Sequence, residues 1–166
     1  MARQGSPHAG GFLQTALATI RAAQGRLGEF VPQARQLTEE YGPLVADLLA
    51  AALCAAGQQD EARAVLARLG PLRTDYLRTV LATFRAMATV ALGERQRAEE
   101  LYTVLLPHRD APPPAAGFTL AIRPVAYTLG ELARLLGRDA EAAAHFAHAA
   151  AIADRWNTAL GRGATG

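Results

Sequence analysis

Apolar residues along this chain recur at intervals of three and four, the period of one helix face, and nowhere do they alternate as strands require. Leu13, Ala16, Leu17 and Ile20 form the first such stripe and predict a helix over 12–24, broken by Gly25 and Gly28. A second helix is expected near 32–41, with Pro32 in its first turn and Gly42-Pro43 beyond its end. The pattern then predicts helix pairs over 44–56 with 60–69, 76–92 with 96–106, and 124–136 with 139–156. Gly70-Pro71 closes the first of these pairs and Pro107 the next. Asp60 and Asp139 stand where helix N-caps belong. Residues 1–11 are rich in Gly, Ser, Pro and His, and with 157–166 they are expected to be disordered ends around a helical domain spanning 12–156.

Three of the pairs share one register. Ala50, Leu53, Gly57, Ala62 and Leu66 repeat as Ala86, Thr89, Gly93, Ala98 and Tyr102, and again as Gly130, Ala133, Gly137, Ala142 and Phe146. Small residues let two antiparallel helices approach, the glycine allows the left-handed backbone that ends the first helix, and the bulky residue fills the space between them. A degenerate copy sits around Gly25, with Phe30 and Ala34 at the matching offsets. This is tetratricopeptide-type spacing. It predicts an all-α, tetratricopeptide-like α-α solenoid of about four antiparallel hairpins, which stack because none buries its apolar face alone. The wider gap between Gly93 and Gly137 implies a Pro-rich loop over 107–117, stiffened by Pro112, Pro113 and Pro114.

Composition narrows the reading. The chain is 51% apolar but only 6% aromatic, which favours closely packed helices over a sandwich. All 17 basic residues are arginine, which points to a GC-rich coding genome of actinobacterial type. Against 15 acidic residues the formal charge is +2, and no basic stripe with interleaved aromatics is present, so nucleic acid is disfavoured as a partner. Cys54 is the one cysteine, so no intrachain disulfide can form. No start resembling a signal peptide and no membrane-length apolar run is found, so a cytoplasmic location with no membrane contact is expected.

Four stretches carry a family likeness: 21–29, 53–64, 98–108 and 127–146, with the Leu-Tyr-x-x-Leu-Leu-Pro element at 101–107 the most distinctive. In these the chain resembles the repeat region that follows the ATPase module in bacterial LuxR-type ATP-dependent transcriptional regulators and class III adenylate and guanylate cyclases. The resemblance implies a regulatory interaction module, either a fragment of such a regulator or a small free-standing relative. The G-x-x-x-x-G-K-[ST] phosphate loop of the ATPase is absent from this sequence, so ATP binding does not transfer with the likeness.

Residues able to do chemistry are sparse. Glu141, His145 and His148 share a stripe of the last helix, but a metal asks for convergent ligands and a supporting shell, and a plain half-exposed helix face is the simpler reading. Cys54 lies among alanines and leucines and reads as a packed thiol. Glu39-Glu40 and Glu99-Glu100 point in different directions on their helices and read as solvated faces. Ser6, the one serine, lies in the expected disordered start. Arg63, Arg68, Arg73, Arg78 and Arg85 are expected to lie over apolar surface or to pair with acids such as Asp60, Glu61 and Asp75. No catalytic, metal or cofactor site is expected, and the chain reads as a non-enzyme. In stacked hairpins the first helix of each pair lines the concave face. Counting back from the turn glycines places Phe12, Thr15, Leu44, Asp47, Thr83, Met87, Tyr127, Glu131 and Arg134 there, a mixture suited to a protein or peptide partner. Self-association is compatible with it. The alternative is a small-molecule sensor whose groove is lined by Tyr127, Met87 and Phe12.

Overall fold

The computed structural model describes residues 9–72, 74, 75, 77–110 and 123–163; for residues 9, 10, 12, 44 and 156–163 it describes the backbone. The described residues are all-helical, with no strand among them. The helices are α1 (Ala9–Ala23), α2 (Val31–Tyr41), α3 (Ala46–Ala55), α4 (Gln59–Ala67), α5 (Arg78–Leu92), α6 (Arg95–Leu105), α7 (Val125–Leu136) and α8 (Asp139–Gly163).

Four of them end in the same way. After α1, α3, α5 and α7 come Gly25, Gly57, Gly93 and Gly137, with φ of 69°, 77°, 71° and 80°. Each glycine N–H returns to the carbonyl three residues back, and the next N–H to the carbonyl five back. The pairs are Gly25 to Ala22 (3.1 Å) with Arg26 to Arg21 (2.8 Å), and Gly57 to Cys54 (3.0 Å) with Gln58 to Leu53 (2.9 Å). They recur as Gly93 to Val90 (3.2 Å) with Glu94 to Thr89 (3.1 Å), and Gly137 to Arg134 (3.0 Å) with Arg138 to Ala133 (2.9 Å). These bonds satisfy the orphan carbonyls of a helix end, and the backbone they require disfavours residues with a Cβ. The following helix then opens in one register: the N–H of Ala62, Ala98 and Ala142 donates to Gln58, Glu94 and Arg138 respectively.

Element boundaries differ from expectation in five places. Gly42-Pro43 folds into a 3₁₀ turn over Gly42–Val45, so α3 begins at Ala46. Asp60 is not the N-cap of α4. Gln58 holds that position without a side-chain bond, and Asp60 and Glu61 lie in the first turn, where carboxylates face the positive end of the helix dipole. Asp139 likewise lies within the first turn of α8. α1 begins at Ala9, inside the expected disordered start, and α8 continues through the expected disordered tail as far as Gly163. Of the Pro-rich loop, 107–110 begins in a 3₁₀ turn over Leu106–His108, and 111–117 lies outside the described residues.

α3 packs on α4, α5 on α6 and α7 on α8; between these pairs, α2 packs on α3, α3 on α5, α5 on α7 and α6 on α7. The buried apolar residues form two large clusters that share α5. Leu27, Phe30, Leu37, Leu48, Leu53 and Phe84 belong to the first; Ala82, Leu101, Leu105, Val125, Leu129 and Leu132 to the second. Each such Leu or Phe stabilises the fold by about 1.5–3 kcal/mol when fully buried.

α1 faces the other way from its apolar stripe. Leu13, Leu17 and Ile20 are 60%, 40% and 51% exposed, whereas Ala18 and Thr19 are buried. Small residues make that approach workable, and at Gly11 a Cβ would lie 3.1 Å from the Tyr41 ring.

Candidate interaction site

The nine expected concave-face residues do not form one open surface. Asp47 and Thr83 are corrections: both are buried. α3 and α5 pack directly on each other, which turns these positions into the seam between them. The Thr83 hydroxyl donates to the Thr79 carbonyl at 2.9 Å. Asp47 accepts from Arg85 Nε at 2.5 Å and from Nη2 at 3.3 Å, while Nη1 donates to the Gly70 carbonyl at 2.9 Å. Burial pushes the Asp47 carboxyl above its ordinary value, and the Arg85 guanidinium works against that rise. Met87 is half-buried against the first core cluster. The half-buried Thr15 bonds its own helix, donating to Gly11 O at 2.8 Å. The side chains of Phe12 and Leu44 lie outside the described residues.

The other three are brought together on α7. Tyr127, Glu131 and Arg134 share one stripe of that helix, and Tyr127 is 41% exposed. Two residues outside the expected set complete the arrangement. Phe146 of α8 meets the Tyr127 ring edge-on, with centroids 5.2 Å apart and planes at 67°. Arg123 lies over Tyr127, its Cζ 4.9 Å from the centroid, and Arg134 lies over Phe146 at 4.7 Å. The result is a four-membered ladder: Arg123, Tyr127, Phe146, Arg134. Arg123 is locked from below, with Nη2 donating to Glu131 at 2.5 Å and Nε to the buried Thr128 hydroxyl at 3.1 Å. Cation–π and edge-to-face contacts fix rotamers that a free surface arginine would sample, so this face is ordered before anything binds.

Sequence reasoning misses Arg123 because Pro124 interrupts the helical register between it and Tyr127. It assigns Phe146 only to packing, a role the residue keeps: a Cβ on Gly130 would lie 2.7 Å from its ring.

A second polar cluster ties α6 to α8. Tyr102 Oη lies 2.9 Å from Glu141 Oε2 and 2.9 Å from His145 Nε2. A phenol has one proton to give, and the carboxylate can only accept, so His145 donates through Nε2. Burial and the Glu141 carboxylate push the phenol pKa up, which keeps that proton in place. Arg138 lies over the Tyr102 ring at 5.4 Å and pairs with Glu99 at 2.7 Å. His148 is turned to Asp110 at 2.8 Å. The Glu141, His145 and His148 stripe is thus divided between partners on α6 and the turn after it. No group of three or more metal-ligating side chains occurs among the described residues.

Cys54 is half-buried with Sγ 3.9 Å from the Ala88 carbonyl, and burial raises its thiol pKa. A raised pKa keeps it a thiol and removes its nucleophilic form. Glu61, expected near Arg63, pairs instead with Arg35 of α2, and Arg63 pairs with Asp60 at 3.3 Å. Arg95 donates to Leu135 O at 2.8 Å and Leu136 O at 2.7 Å, capping α7 from the start of α6. Arg73 lies outside the described residues. No helix among the described residues is long and apolar enough to cross a membrane. Comparison with protein-family models, with curated proteins and with solved structures returned no match.

Proposed function

We propose that this chain is a non-catalytic, tetratricopeptide-like helical-repeat module that binds a protein or peptide partner in a regulatory or scaffolding role. The repeated glycine caps and the fixed register of the following helices support the repeat reading. So does the recurrence of a small residue facing a bulky one: Ala50 and Leu66 share one buried cluster, and Ala86 and Tyr102 another. The regulatory role follows the likeness of 98–108 and 127–146 to the repeat regions of bacterial signalling regulators.

The observation that carries the binding role is the ladder of Arg123, Tyr127, Phe146 and Arg134, in which Tyr127 and Arg134 are exposed and the other two half-buried beneath them. Tyrosine and arginine dominate interface energetics, and both are held here in fixed geometry. The exposed Arg134 guanidinium beside the Tyr127 and Phe146 rings suits a peptide with an acidic residue next to an apolar one, laid along α7.

The test is selection of peptides from a displayed library, followed by amide-shift mapping on the full chain. Enriched acidic–apolar peptides whose footprint centres on α7 and Phe146 are the expected result. A footprint on α4 or α6 that leaves α7 unmoved overturns the assignment of the face.

A further inference from the structure

A second site lies apart from the α7 face and shares no residue with it. Between α5, α6 and residues 69–72, which follow α4, is a cleft of about 440 Å³. That is within the range of pockets that hold small molecules. Its lining has an apolar part, Leu69, Pro71, Leu72, Leu101 and Val104, and a charged part, Arg78, Arg85, Arg97 and Glu100.

The three arginines are not equivalent. Arg85 is committed to Asp47 and to the carbonyl of Gly70, which itself lines the cleft. Arg97 donates from Nε to Glu94 at 2.8 Å. Arg78 differs: its Nε is buried and finds no hydrogen-bond partner among the described residues. A buried N–H without an acceptor is costly, and native folds rarely keep one without use.

We infer that this cleft binds a small organic monocarboxylate with an apolar body. The carboxylate accepts from the planar fork of Arg78, which matches two oxygens at once. The hydrocarbon part lies on Leu69, Leu72, Leu101 and Val104. Charge selects a single negative charge over a phosphate dianion. Arg85 and Arg97 are already paired with Asp47 and Glu94, so among the described lining residues Arg78 is the cation without an ion pair, and the Glu100 carboxylate in the lining repels a second negative charge. Arg85 gives the lining rigidity, since its ion pair ties α5 to α3 while Nη1 holds the Gly70 carbonyl.

Titration of the full chain with benzoate tests this, read from the arginine Nε–H resonances in a proton–nitrogen correlation spectrum. A saturable shift of the Arg78 Nε–H is expected with benzoate. Benzamide, of the same shape but uncharged, should leave it in place, and inorganic phosphate should bind more weakly. Arg78→Gln should weaken benzoate about tenfold or more, the loss expected for one charge-assisted hydrogen-bonded pair. Arg78→Lys keeps the charge without the fork and should weaken it as well, while Glu100→Gln should tighten it. Arg134→Gln, on the α7 face, should leave the curve unchanged. Melting curves followed by circular dichroism establish that each variant is folded. The inference is overturned by the absence of saturable shifts, by equal shifts with benzamide, by tighter phosphate binding, or by a folded Arg78→Gln variant with an unchanged benzoate curve.

Discussion

Phe146 occupies the volume that a side chain at Gly130 would need: a Cβ there would fall 2.7 Å from Cε1 and 2.8 Å from Cδ1 of the ring. The corresponding pair in the second hairpin is Ala50 with Leu66, a larger residue facing a smaller ring-free one. Gly130→Ala adds about 1 kcal/mol of helix propensity but overpacks the contact by about 1–3 kcal/mol. A net loss of about 1 kcal/mol is expected in urea melts. In a Phe146→Leu background the same change should become stabilising, with a coupling of about 1–2 kcal/mol in the double-mutant cycle. Additive effects would show that the two side chains do not compete for one space.

Asp47 and Arg85 are both buried and hydrogen-bonded to each other across α3 and α5. Removing one partner leaves the other charged and unpaired in the seam. Asp47→Ala and Arg85→Ala are each expected to cost about 3–5 kcal/mol, and Asp47→Leu with Arg85→Met together much less than the sum. Chemical denaturation of the three variants checks this. A single replacement that costs under about 1 kcal/mol would mean that the pair is solvated, at the level of surface salt bridges.

His145 makes stability depend on pH. Burial holds its pKa below the usual imidazole value of 6.5, the Glu141 carboxylate acts to raise it, and Arg109 and His148 lower it further. The unfolded chain therefore binds this proton more readily than the folded one. Stability is complete above the unfolded value and is lost as pH falls from 6.5 toward the lower folded value. Urea midpoints measured across that window should fall more steeply for the wild type than for His145→Gln. Parallel curves would remove His145 from the acid response.

Tyr127 and Arg134 are on the surface, so their loss should register in binding and not in folding. With a peptide selected on this chain, Tyr127→Ala or Arg134→Ala is expected to cost about 1–3 kcal/mol of affinity by calorimetry, the usual range for interface anchors. Thermal midpoints should stay near that of the wild type. Arg63→Ala, on α4, is the control and should change neither. Weakened binding in Arg63→Ala together with full affinity in Tyr127→Ala would move the working face to the other side of the hairpins.

Helix content, the glycine turns after α1, α3, α5 and α7, and the register of the three pairs α3–α4, α5–α6 and α7–α8 were legible because each is local. A glycine after a 3.6-period run, a small residue five positions on and a bulky one four beyond that impose their geometry within a dozen residues. Asp47, Thr83 and the α1 stripe show where local reasoning stops. Periodicity places Asp47 and Thr83 on a face of the right helix, but whether that face meets solvent or α5 depends on how closely α3 and α5 approach, a long-range packing result. Leu13, Leu17 and Ile20 carry a strong amphipathic signal, yet α1 docks through Ala18 and Thr19, with its packing directed at the 3₁₀ turn over Leu27–Phe30. The ladder on α7 joins a residue before a proline to one on the next helix, and the cleft beside Arg78 joins α5, α6 and the segment after α4. Those juxtapositions arise from helix crossing and stacking, which residue spacing along one helix does not encode.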